Sequence, residues 1–163
     1  MKKHLLLLFS ITLLLIASCA KKKCCDFPTI ADFIITQKNG AEWKFDPLSL
    51  ATAQDTAIIS GTNNVTDMME TFGFKLKLNG LGYYELKSDE GFYHITKGNE
   101  IVARYKLSTT HNNTVIVVAL NEKDKIIQGL FNVRFVKIFD KPVGSQPDSI
   151  RFLEGKFKVS LHN

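Results

Sequence analysis

Cysteine is almost missing from the part of this chain that has to fold. All three cysteines, Cys19, Cys24 and Cys25, fall within the first 25 of 163 residues. The residues beyond Cys25 have no disulfide available and must be stabilised by their core. Proline is scarce, at four residues, and Trp43 is the single tryptophan. No apolar run reaches the roughly 20 residues that cross a bilayer as a helix. Beyond residue 28 no stretch supports a helix of three turns, so no long crossover is available and parallel pairing of strands is disfavoured. The adjacent cysteines form no C-x-x-C, and no His, Asp or Cys stands near them at zinc spacing. No serine occupies a Gly-x-Ser-x-Gly setting, and the acidic turns lack the twelve-residue spacing of a calcium loop. The composition therefore implies no metal and no cofactor.

What is present begins with a repeat near the C-terminus. Ile126-Ile127-Gln128-Gly129-Leu130-Phe131-Asn132-Val133-Arg134-Phe135 matches Phe152-Leu153-Glu154-Gly155-Lys156-Phe157-Lys158-Val159-Ser160-Leu161 position by position. Period-2 alternation puts Phe131, Val133 and Phe135 on one face of a strand, and Phe157, Val159 and Leu161 on one face of another. Neither strand can hide that face alone, so the two are expected to line one core. The glycine near the start of each marks a bulge or a close approach of backbone. Turn residues from Asp140 to Asp148 join them.

The rest of the chain has the same character. Asn39-Gly40 between β-prone runs predicts a hairpin, with Trp43 and Phe45 on one face. Alternation over 72–78 continues the pattern, with turns at 79–82, 88–91, 97–100 and 121–124. The run 114–120 is apolar on both sides, which suggests a central strand, and 62–71 is the one place where a helical turn is plausible. The expected fold is all-β: an antiparallel sandwich or barrel of about 9–10 strands.

At the other end, Met1-Lys2-Lys3-His4 precedes an apolar run from Leu5 to Ile16, the length of a signal-peptide core. Ile16-Ala17-Ser18-Cys19 then resembles a bacterial lipobox. The resemblance implies that residues 1–18 are a signal peptide and that Cys19 becomes the acylated first residue. Residues 19–28 are then a tether, and 29–163 a single β domain. The alternative is an ordinary secretory signal or an N-terminal anchor helix. Two or three acyl chains hold a protein firmly at a membrane. Ala20, where an aspartate typically retains lipoproteins at the inner membrane, favours the outer membrane. Removing residues 1–18 takes Lys2 and Lys3 from the 21 basic residues and leaves 19 against 16 acidic ones, a net charge of +3. Three of those positives are Lys21, Lys22 and Lys23, beside the lipid, so the basic balance points to a tether on anionic headgroups, or equally to a solvated linker, and not to nucleic acid.

The order of elements from residue 30 onward also resembles a family of small lipoprotein domains common in Bacteroidota. The shared features are the Asn39-Gly40 hairpin with Trp43, Gly82-x-Tyr84-x-Leu86, Gly129-x-Phe131, and Glu154-Gly155-x-Phe157-x-Val159. The resemblance implies a β-rich extracytoplasmic domain and carries over neither a catalytic residue nor a ligand. Lys21–Lys23 departs from the acidic tethers that typically accompany surface display, which argues against that address.

No catalytic constellation is recognisable. Ser60, Ser108 and Ser160 lack a nucleophile's setting. His94 falls in a strand, His111 in a loop and His162 next to last. The carboxylates Asp89, Glu90, Glu122 and Asp124 sit at turns. The richest resource is aromatic: Tyr83, Tyr84, Tyr93 and Tyr105 are the candidate ligand-binding residues. Wherever two aromatics are adjacent, as in Tyr83-Tyr84 and Phe92-Tyr93, one ring must point away from the core. The expected function is a non-catalytic, membrane-anchored envelope protein whose domain binds a glycan or another envelope protein. The alternatives are a hydrolase of an envelope polymer and a lipocalin-like carrier of a small apolar ligand.

Overall fold

Asn39 and Gly40 have φ of 51° and 91°, as a two-residue hairpin turn requires, and fold β1 (Phe33–Lys38) back along β2 (Ala41–Leu48). The computed structural model describes residues 31–48, 52–53, 56–121, 123, 125–142 and 146–160. The expected signal peptide, the expected tether and Cys19 lie outside the described residues, as do Glu122, Asp124, Leu161 and His162. Nine further strands complete the chain: β3 (Thr52–Ala53), β4 (Thr56–Val65), β5 (Met68–Lys77), β6 (Gly82–Glu85), β7 (Gly91–Lys97), β8 (Glu100–Leu107), β9 (Thr114–Asn121), β10 (Ile126–Asp140) and β11 (Ser149–Ser160). Eleven strands thus form where about nine or ten are expected, the two-residue β3 being too short to read from alternation.

Antiparallel pairing runs β11-β1-β2-β4-β5-β7-β8-β10, and β10 pairs back with β11. That closes a barrel of eight staves and decides between the two expected architectures. Closure removes sheet edges. Two adjacent staves are each made of two strands. β8 pairs with residues 135–140 of β10, and β9 continues along the same side against 126–132. In the neighbouring stave, β6 pairs with β9 and β7 with β8.

The interior is filled with rings. Phe72 of β5 and Phe152 of β11 come from opposite walls, four staves apart, yet their centroids are 5.0 Å apart. Phe74 and Phe157 meet from the same two walls at 5.7 Å. A lipocalin-like carrier needs an internal cavity. At these two levels side chains occupy that space, which argues against an internal apolar ligand. The polarity, with phenylalanines inside and lysines such as Lys75 and Lys77 outside, is also the reverse of a barrel that spans a membrane.

The sequence repeat has a physical reason. β10 and β11 pair so that Gly129 lies opposite Phe157, and Phe131 opposite Gly155. Each phenylalanine covers the other strand's glycine. A Cβ on Gly155 would come within 2.4 Å of the Phe131 ring, and one on Gly129 within 2.5 Å of the Phe157 ring. Glycine is required here to admit an aromatic ring against backbone, and the antiparallel register makes the requirement reciprocal. The expected bulges are present: β10 shifts register against β9 at Gln128/Gly129, and β11 bulges at Leu153-Glu154.

Two local expectations are overturned. Residues 62–71 form no helical turn. They are the end of β4, a two-residue turn at Thr66-Asp67 and the start of β5, with Asn63 opposite Glu70 and Asn64 opposite Met69. Ten cross-strand pairs along this hairpin outweigh the weak local preference. β9 is not buried on both faces: Val115 and Val117 are in the core, whereas Ile116 and Val118 are exposed.

Candidate functional site

Strand parity separates the four tyrosines. Tyr93 and Tyr105 point into the barrel and pack together at 5.3 Å. Burial raises both phenols, that of Tyr105 to about 12, and the Tyr105 hydroxyl donates to the carbonyl of Pro147. Tyr84 is half-buried, accepts from the amide of Asn79 and donates to the carbonyl of Gly80, so it holds the turn. Tyr83 alone is exposed, at 62%. No outer-face row of tyrosines results.

Because Tyr93 and Tyr105 turn inward, their neighbours turn outward. Phe92, His94, Arg104 and Lys106 line a surface hollow of about 560 Å³, with Asp89 and Ile138 at its margin. Gly73 lies opposite Phe92 in the β5–β7 register, and a Cβ there would come within 2.3 Å of the Phe92 ring. The ring therefore lies over bare backbone, and the His94 ring stacks beside it at 6.3 Å and 25°. Lys106 is opposite Phe92, and Arg104 opposite His94, on β8. Neither cation has an ion-pair partner among the described residues. Burial first, then the Arg104 charge, lowers the His94 pKa and favours the neutral ring. The result is a flat aromatic floor flanked by two unpaired cations.

The break between β8 and β9 holds the arrangement closest to catalytic chemistry. His111 Nδ1 is 3.2 Å from Ser108 Oγ and 3.0 Å from Thr110 Oγ1, beside a hollow of about 600 Å³. Its Nε2, however, faces the Arg134 guanidinium. An arginine can only donate, so Nε2 must accept and Nδ1 carries the proton. A ring in that state presents no lone pair to the serine, and no carboxylate among the described residues orients it, so the pair is not poised as nucleophile and base. Asn113 does structural work here. Its amide bonds the carbonyls of Ser108 and His111, and its Oδ1 accepts from the Arg134 amide, closing the gap in the stave.

Among the described residues no three His, Cys, Asp or Glu gather at one place. Of the acidic turn residues, Glu90 accepts from the Lys87 amide at 2.7 Å and so closes its own turn. Inside the barrel Lys38 pairs with Glu70, beside Trp43 and Tyr93.

The described residues thus form a closed antiparallel barrel, with phenylalanine rings meeting across its interior and a charged aromatic hollow on its outer wall. Compared with known proteins, the chain matches no family model, no curated protein and no solved structure.

Proposed function

We propose that this chain is a non-catalytic envelope protein, anchored through an acylated Cys19, whose barrel binds an acidic sugar in the Phe92–His94 hollow. The observation that carries the reading is the aromatic floor between two cations, Arg104 and Lys106, that have no ion-pair partner among the described residues. A pyranose ring stacks on such a floor through its C–H face. Arg104 offers a two-pronged donor to a carboxylate or phosphate, Lys106 adds a second charge, and Asp89 can accept from hydroxyls. The Ser108–His111 pair, in which His111 Nε2 accepts from Arg134, speaks against hydrolysis.

The anchor and the site are tested separately. Growth with a fatty-acid probe should label the wild-type chain and leave Cys19→Ser unlabelled; an unlabelled wild type would remove the anchor. For the site, calorimetric titration of residues 31–163 with uronate oligosaccharides and with neutral oligosaccharides of equal length should show binding of the acidic series only. Arg104→Ala and Lys106→Ala, both exposed, should each weaken it by roughly three- to ten-fold, and less so at high salt. Bound anion beside Arg104 offsets the charge that disfavours His94 protonation, so binding should take up a proton and tighten as pH falls from 7 towards 5. Equal affinity for neutral and acidic sugars, or none for either, would overturn the site.

A further inference from the structure

A second exposed feature lies lower on the wall. Cross-strand register places Ile35 of β1, Lys156 of β11, Leu130 of β10, Ile116 of β9 and Tyr83 of β6 in one continuous row. By strand parity all five point outward, since Ile34, Phe157, Phe131, Val115 and Val117 fill the interior. Leu130 is 41% exposed and Ile116 38%. The adjoining row, nearer the end of the barrel, holds Phe33, Lys158 and Gln128, with Val118 as the extra residue of the bulge. Contiguous apolar exposure of this kind is uncommon on a free surface and marks contact with another phase or partner.

We infer that this face docks on an anionic lipid surface. Three observations select a membrane over a protein partner. First, the described residues begin beside this face: Phe33 and Ile35 belong to the two rows. If Cys19 is the anchor, the residues up to Ala31 span at most about 40 Å fully extended, which keeps this end of the barrel close to the bilayer. The inference rests on the anchor in that respect. Second, the exposed charge within the rows is basic, Lys156. The nearby Asp32 carboxylate is taken up by the amide and hydroxyl of Ser160. Third, acids appear on the side away from the barrel end, where Glu85 and Glu154 are exposed. Apolar side chains flanked by lysines fit headgroups and the outer acyl region together. The sugar-binding hollow sits at Val136 along β10, six residues beyond Leu130, or about 20 Å further from that end. It stays open to solvent when this face is seated.

The test uses residues 31–163, since every strand pairing and the core lie within that span. Without the acyl chains, any vesicle binding belongs to the barrel, and failure here leaves the Cys19 labelling result untouched. The probe is co-sedimentation with phosphatidylcholine–phosphatidylglycerol vesicles against phosphatidylcholine alone. Binding is expected only to the anionic vesicles. Leu130→Glu and Ile116→Glu, at exposed positions, should each lower the partition coefficient at least about ten-fold, and Lys156→Ala roughly five-fold. Lys75→Ala, exposed on β5 and outside the face, should leave it unchanged. No sedimentation of the wild type, or equal sedimentation of the glutamate variants, would overturn the inference. So would a wild-type dimer in solution that either glutamate variant dissolves, because the face would then belong to a second copy of the chain.

Discussion

Phe72→Ala is expected to cost about 3–5 kcal/mol of folding stability. Phe72 stands at the middle of the core and touches five rings: Phe45 at 5.2 Å, Phe74 at 5.7 Å, Phe131 at 5.2 Å, Phe135 at 6.0 Å and Phe152 at 5.0 Å. These come from four different staves, β2, β5, β10 and β11, so no single backbone shift can close the gap that alanine would leave. Removing the ring loses both its own burial and the contacts of five neighbours. A domain of this size is stable by roughly 5–15 kcal/mol, so the variant should unfold at much lower urea, with little change in the slope of the transition. A loss below about 1 kcal/mol would mean that the remaining rings repack freely, and that the core is not an interlocked cluster.

Lys38→Met is the second large effect, expected at about 3–5 kcal/mol. Lys38 and Glu70 form an ion pair inside the mouth of the barrel, their side chains only 16% and 7% exposed. The ammonium also lies 4.2 Å from the centre of the Trp43 ring, a cation–π contact. Glu70 Oε2 and the Tyr93 hydroxyl have no hydrogen-bond partner among the described residues. The lysine is therefore the main compensation for the buried carboxylate. Taking it away strands a charge in a poorly solvated place, which costs more than the pair itself contributes. Pairing Lys38→Met with Glu70→Leu should recover most of the loss, because burying two apolar side chains is close to neutral relative to burying an ion pair. The double-variant cycle by chemical denaturation reads this directly. Strict additivity of the two single changes would show that they do not act on one another.

Much of this fold is legible residue by residue. The Asn39-Gly40 turn, the closing strands and the inward set Phe131, Val133, Phe135, Phe157 and Val159 all come from alternation and turn chemistry. Even the repeated glycines announce a close approach of backbone. What they approach is not legible, because Gly129 meets Phe157 only after β10 and β11 have paired. The candidate site shows the same division. Adjacent aromatics at 92–93 state that one ring faces outward. Which ring does so depends on β5, where Gly73 leaves room for Phe92. The partners of His111 and Lys38 likewise lie 23 and 32 positions away in the chain. No local pattern encodes such partners. Residues 62–71 failed for the mirror reason: polar residues around Met68-Met69 look helical alone, and ten cross-strand pairs make them a hairpin.

Strand class, turn positions and the absence of any covalent cross-link in the barrel were settled locally, since each depends on side-chain alternation or on φ at one or two residues. Closure into eight staves, the interlocked core, the Phe92–His94 hollow and the apolar row from Ile35 to Tyr83 were settled only by pairing between distant strands. The reason is that side-chain parity is a property of one strand, with period two, whereas register is a relation between strands. A slip of one residue would turn every one of those faces over.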